Sequence, residues 1–163
     1  MKPALIFFLQ AALGFILLSS AGCTDPKAII DQNTPVSDHA WSYANKFKYA
    51  VKIDDENATY NLYMNLRVTA DYKYSNLFVL ITQTGPGKKS KTTRYELKLA
   101  SKDGEWLGKG SGNLYSYQAP FLTSYKFPAK GLYHFEIEQN MRDNSLREVS
   151  DVGLRVEKTS PLN

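Results

Sequence analysis

The sequence predicts an all-β fold, a jelly-roll-like antiparallel β-sandwich of about seven or eight strands, with a closed barrel as the alternative. Apolar and polar residues alternate with period two along several runs, which places one set inward and the other outward on half-buried strands. Turn-forming clusters separate these runs at short intervals. No window carries a convincing helical period, and residues 140–147 allow one helical turn at most.

The strands follow in chain order. Phe47, Tyr49, Val51 and Ile53 alternate with Lys46, Lys48, Ala50 and Lys52. Tyr60, Leu62, Met64, Leu66 and Val68 alternate with Asn61, Tyr63, Asn65, Arg67 and Thr69. The stretch Leu77-Phe78-Val79-Leu80-Ile81 is apolar on both parities, which predicts a central strand covered on both faces. Tyr95, Leu97 and Leu99 resume the alternation. Residues 115–127 include Pro120, which has no N–H for a ladder, so this run belongs at an edge or a bend. Residues 132–139, with Tyr133, Phe135 and Ile137 inward, and residues 149–156 complete the series. Asp54-Asp55-Glu56-Asn57, Gly85-Pro86-Gly87, Lys102-Asp103-Gly104, residues 128–131 and Arg142-Asp143-Asn144 read as the turns between them.

The N-terminus sets the compartment. Lys2 precedes an apolar run over residues 4–18, too short for the roughly 20 residues of a membrane span and suited to a secretory leader. Ser19, Ser20, Ala21 and Gly22 lead to Cys23, the single cysteine of the chain. This arrangement resembles the lipobox of bacterial lipoproteins, with Ser20 where leucine is usual and Leu18 just upstream. The resemblance implies that residues 1–22 are a signal peptide and that Cys23 carries the S-diacylglycerol and N-palmitoyl groups. An unpaired thiol is otherwise a liability in an oxidising compartment. Thr24 follows the cysteine where an aspartate would signal retention in the inner membrane, so the expected place is the outer membrane, facing the periplasm. Residues 23–40 hold Pro26, Asn33 and Pro35 without a sustained period and read as a lipidated N-terminus and flexible tether. The β-domain is expected over residues 41–158, with a disordered tail at 159–163.

Composition and motif spacing narrow the chemistry. A net charge of +4 is mild, and an exported protein meets little nucleic acid, so a nucleic-acid partner is set aside. One cysteine excludes an internal disulfide, and His39 and His134 lack spaced partners, so no metal and no cofactor is assigned. The run from Gly108 to Asn113 misses the dinucleotide fingerprint, Gly85-Pro86-Gly87-Lys88-Lys89-Ser90 is not a phosphate loop, and Lys109 sits where a nucleophile elbow at Ser111 needs glycine. Asp54, Asp55 and Glu56 read as a solvated turn rather than a calcium loop. Lys88, Lys89, Lys91 and Arg94 form a basic hairpin tip, read first as solubilising and second as a contact for anionic lipid or glycan. The eleven tyrosines with Trp41 and Trp106 offer a sugar-stacking platform, against which stands core packing; Tyr63, Tyr72, Tyr74, Tyr115 and Tyr117 are the less obviously inward ones.

An ordered set of short motifs goes further. Tyr60-Asn61-Leu62, Leu66-Arg67, Tyr72-Lys73-Tyr74-Ser75-Asn76-Leu77 and the run from Asp103 to Gly112 come first. Phe127-Pro128, Gly131-Leu132-Tyr133-His134-Phe135, Gln139-Asn140-Met141-Arg142, Leu146 and Asp151-Val152-Gly153-Leu154-Arg155 follow. Over residues 41–157 this set resembles the GldH family of gliding-motility lipoproteins. The resemblance implies a non-enzymatic outer-membrane lipoprotein that supports gliding with other gliding lipoproteins and type IX secretion components. The family has no established catalytic residues to carry over. Arg67, Arg142 and Arg155 are candidates to pair with Asp71, Asp143 or Asp151. Trp106, Arg142 and Arg67 are the candidate partner surface, since arginine and tryptophan often anchor interfaces. A lipid-anchored module binding carbohydrate or peptidoglycan is the rival function.

Overall fold

A computed structural model describes residues 25–159. The strands are β1 (Ala28–Pro35), β2 (Ala40–Ser42), β3 (Phe47–Ile53), β4 (Thr59–Thr69), β5 (Asn76–Thr84), β6 (Lys91–Lys98), β7 (Lys109–Ser111), β8 (Leu114–Tyr125), β9 (Gly131–Gln139), β10 (Ser145–Arg147) and β11 (Val149–Thr159). One 3-10 turn, Ser37–His39, precedes β2. Five strands form one sheet in the order β1-β11-β4-β8-β7, and four form a second in the order β3-β9-β5-β6; β2 and β10 pair separately.

Leaving aside the three-residue strands β2, β7 and β10, the remaining eight, counted in chain order, alternate between the sheets except for the fourth and fifth, β5 and β6, which pair as a hairpin in one sheet. They lie 1-8-3-6 in one sheet and 2-7-4-5 in the other. That is the double Greek key of a jelly roll, and no barrel closes among the described residues.

The period-two pattern explains the packing. Tyr60, Leu62, Met64, Leu66 and Val68 of β4 and Val152, Leu154 and Val156 of β11 point inward from the five-stranded sheet. They meet Tyr49, Val51, Ile53, Leu77, Val79, Ile81, Phe135 and Ile137 of the other sheet in one core. Trp41 on β2 is fully buried at the edge of this core, its indole donating to the Asn45 carbonyl at 2.9 Å.

Three segments differ from the sequence reading. Residues 28–40, expected within the tether, supply β1, the 3-10 turn and β2, and β1 pairs with β11 from Ala28↔Glu157 to Pro35↔Asp151. The strand was hidden because β1 is an edge whose side chains are mostly polar and exposed. Second, β5 is central but buried on one face only; its outward Phe78 is covered by the Arg94 guanidinium 3.7 Å from the ring centroid, not by another layer. Third, residues 140–147 make a loop and β10 rather than a helical turn. Pro120 stands where expected: β7 covers β8 only as far as Ser116, so Pro120 faces an open edge.

The topology gathers the loops at two opposite ends. Residues 25–27, the loops 54–58, 85–90 and 126–130, and the end of β11 lie together. The segments 36–46, 70–75, 99–108 and 140–144 lie at the other end.

Candidate functional site

The outward residues of the five-stranded sheet are almost all polar. Asp31 and Asn33 come from β1, Asp151, Arg155 and Glu157 from β11, Asn65 and Arg67 from β4, and Ser116 and Gln118 from β8. Strand pairing brings these same-face side chains within hydrogen-bonding reach. Gln118 Nε2 donates to Asn65 Oδ1 at 3.3 Å, and Asn65 Nδ2 donates to Asp31 Oδ1 at 2.8 Å. Arg155 Nη1 donates to Asp31 Oδ2 at 2.7 Å and Nη2 to Glu157 Oε2 at 2.9 Å, with Asp25 as a further partner of Nη2. Tyr63 closes the chain by donating to Glu157 Oε1 at 2.8 Å. One relay therefore crosses β8, β4, β1 and β11.

Beside it lies a groove of about 820 Å³, lined by Asn33, Asn65, Arg67, Gln118 and Asp151 on its floor and by Leu107, Gly108 and Lys109 on one wall. Gly108 is required there: a Cβ would stand 2.6 Å from Tyr117 Cζ. Tyr117 itself points inward and donates to the Leu99 carbonyl at 2.8 Å. Within the groove Asp151 is 3% exposed. Arg67 Nε donates to its Oδ2 at 2.5 Å, while its Oδ1 is buried with no hydrogen-bond partner among the described residues. A buried carboxylate oxygen without a donor is costly, and Arg67 supplies the side-chain hydrogen bond that holds this carboxylate among the described residues.

The charges are set by these contacts. Burial pushes the Asp151 carboxyl up, and Arg67 pulls it part of the way back. The Tyr63 hydroxyl, followed by Arg155, holds Glu157 below the usual carboxylate range, and the Lys27 amide and Arg155 do the same for Asp25. Lys158 lowers Asp55, across a 2.8 Å contact. For these three acids the folded value lies below the unfolded one, so their stabilisation is complete above the unfolded value and is lost as pH falls through the folded value. Asp151 has the opposite sign: its ionisation costs stability as pH rises through the unfolded value. With three acids lowered and one raised, the thermal midpoint is expected to fall once pH drops below about 4. A midpoint that rose on acidification would show Asp151 dominating.

The sequence profile of the GldH lipoprotein family matches residues 28–156, from the first residue of β1 to the inward Val156 of β11. The chain belongs to the GldH lipoprotein family. A curated GldH homolog, a gliding motility lipoprotein of Christiangramia forsetii, is 30% identical over 89% of this chain and 92% of its own. The gliding motility lipoprotein GldH of Flavobacterium johnsoniae is 29% identical over 90% of this chain and 92% of its own. No solved structure matches.

The GldH-family domain begins at β1, which places residues 28–40 inside it. Cys23 lies outside the described residues. Arg67 is on the groove floor, and Trp106 is next to the groove wall at Leu107, half-buried and tilted against Tyr115 with centroids 5.5 Å apart. Arg142 is not with them: it is exposed on the loop between β9 and β10, beyond the other sheet. Arg67 pairs with Asp151, one of the partners expected for the arginines, whereas Arg155 takes Asp25, Asp31 and Glu157 instead.

The aromatics of this GldH-family domain mostly pack. Tyr72 is buried, Tyr115 and Tyr117 lie against the core, and of the five doubtful tyrosines Tyr63 alone lies on the polar face. His134 is outward and exposed, and Asp54 and Asp55 pair with Lys52 and Lys158 in a turn. Among the described residues no group of His, Cys, Asp or Glu is placed to hold a metal ion, and no helix is long and apolar enough to cross a membrane. Sequence reasoning missed Asn65, Gln118 and Asp31. Their outward parity on β4 was legible, but not that β1 and β8 flank the same face.

Proposed function

We propose that this chain is a non-enzymatic lipoprotein of the outer membrane, anchored through Cys23 and facing the periplasm, that supports gliding motility. In this reading it acts as a scaffold or assembly factor with other gliding lipoproteins and the type IX secretion machinery. The family match across nearly the whole jelly roll carries the reading, because it spans every strand that builds the polar face. The names of the two relatives support the link to gliding. On this reading the groove beside Trp106 is a partner surface, with Arg67 as its charged anchor.

The test is complementation of a deletion strain of the source organism. Wild-type protein is expected to restore spreading, while Trp106→Ala and Arg67→Gln, which keeps a donor for Asp151, reduce it with normal protein abundance, and crosslinks from the wild type reach other lipoproteins or secretion components. A deletion strain that spreads and secretes normally would remove the reading.

One observation favours a second reading, a lipid-anchored glycan-binding module: the groove is lined by Asn33, Asn65 and Gln118, side chains suited to sugar hydroxyls. Under this reading purified peptidoglycan pulls down the wild type, and Asn65→Ala with Gln118→Ala weakens retention roughly tenfold, about 1.4 kcal/mol. Equal retention of the double variant would remove the groove from any glycan site.

A further inference from the structure

The described fold leaves almost no linker between Cys23 and the domain. Asp25 is already held by Arg155, its Oδ1 accepts from the Lys27 amide at 3.0 Å, and the Lys158 amide donates to the Lys27 carbonyl at 3.1 Å. Two residues reach about 7 Å at most. The attachment point therefore lies beside one particular end of the sandwich, the end that carries the loops 54–58, 85–90 and 126–130.

That end differs in charge from the opposite one. Among the described residues, Lys27, Lys88, Lys89, Lys126 and Lys130 are exposed with no carboxylate partner, against Glu56 alone. In the loops of the opposite end Asp38, Asp71, Asp103 and Glu105 lack ion pairs, against Lys102 and Arg142. Two of the exposed large apolar residues, Ile29 (42%) and Leu132 (51%), flank the basic end.

We infer that the domain docks end-on against a phospholipid surface carrying anionic headgroups. The five lysines meet lipid phosphates, Ile29 and Leu132 reach the interface, and the end bearing Leu107, Trp106 and Arg142 points away. The inference rests on the lipid-anchor reading of Cys23. Each lysine brought to such a surface favours this orientation about fivefold. The polar groove then stands upright on the side of the domain, open to partners that are themselves at the membrane.

The test uses the mature lipidated protein in vesicles of phosphatidylcholine with or without phosphatidylglycerol. With Cys23 acylated, Leu132→Cys or Leu107→Cys provides the one free thiol for a fluorophore. A headgroup-attached quencher is expected to act strongly on the label at 132 and weakly on that at 107. The contrast is expected to fall at least fivefold without phosphatidylglycerol or in Lys88→Glu, Lys89→Glu, Lys126→Glu, Lys130→Glu protein. Equal quenching at both positions in vesicle-bound protein would overturn the orientation while leaving the anchor standing. Protein that does not co-sediment with vesicles at all would overturn the anchor reading, and the orientation with it.

Discussion

Replacing Arg155 with methionine lowers the free energy of unfolding by about 2 kcal/mol, as expected for loss of several charge-assisted hydrogen bonds to carboxylates that are themselves partly exposed. Arg155 is 9% exposed and is the shared partner of Asp25, Asp31 and Glu157. Methionine retains much of the stem packing but supplies no donor, so three carboxylates are left to repel one another at neutral pH. The loss is read from denaturant unfolding of the variant beside the wild type. The electrostatic origin has its own signature: the deficit shrinks as pH falls below about 4, because protonation relieves the repulsion. A deficit that stayed constant across that range would assign Arg155 to packing alone. Loss of this clamp also frees the segment at Asp25, so the variant exchanges the amides of residues 27 and 28 faster than the core of β4.

Gly153→Val is expected to destabilise by about 2–3 kcal/mol through overpacking. A Cβ at position 153 stands 2.1 Å from Asn33 Oδ1 and 2.5 Å from the Gln32 carbonyl oxygen. The Asn33 amide can rotate away, but the Gln32 carbonyl belongs to the β1 backbone, so the strand itself must shift. Valine adds two methyl groups to the same gap. Gly153→Ala separates the contributions: combined with Asn33→Ala it recovers part of the loss, and the residue that remains measures the backbone clash. If Gly153→Ala alone unfolds like the wild type, the close approach of β1 to β11 is not what requires glycine. Hydrogen exchange is expected to quicken first in β1, the edge strand, before β4 and β8 respond.

Particular residues show how far the chain could be read without its fold. The alternation in β3, β4 and β9 was legible because one face of each strand is core and the other meets water or polar neighbours. Pro120 was readable as an edge residue since its missing N–H excludes a central ladder position. β1 was not, because an edge strand with Asp31, Gln32 and Asn33 exposed carries no apolar rhythm, and Pro35 resembles loop chemistry. Arg67–Asp151 was among the pairs anticipated, but Arg155's three partners come from residues up to 130 positions away.

By itself the sequence determined the class of fold and the strands with a clean two-residue period, since these are local properties of spacing and composition. Tertiary structure alone decided that β1 closes the five-stranded sheet, that Asn65, Gln118, Asp31 and Asp151 share one face, and that Asp151 keeps an unpartnered oxygen there. The physical reason is strand order: in a double Greek key, neighbours in a sheet are distant in sequence, and no local pattern records which polar faces will meet.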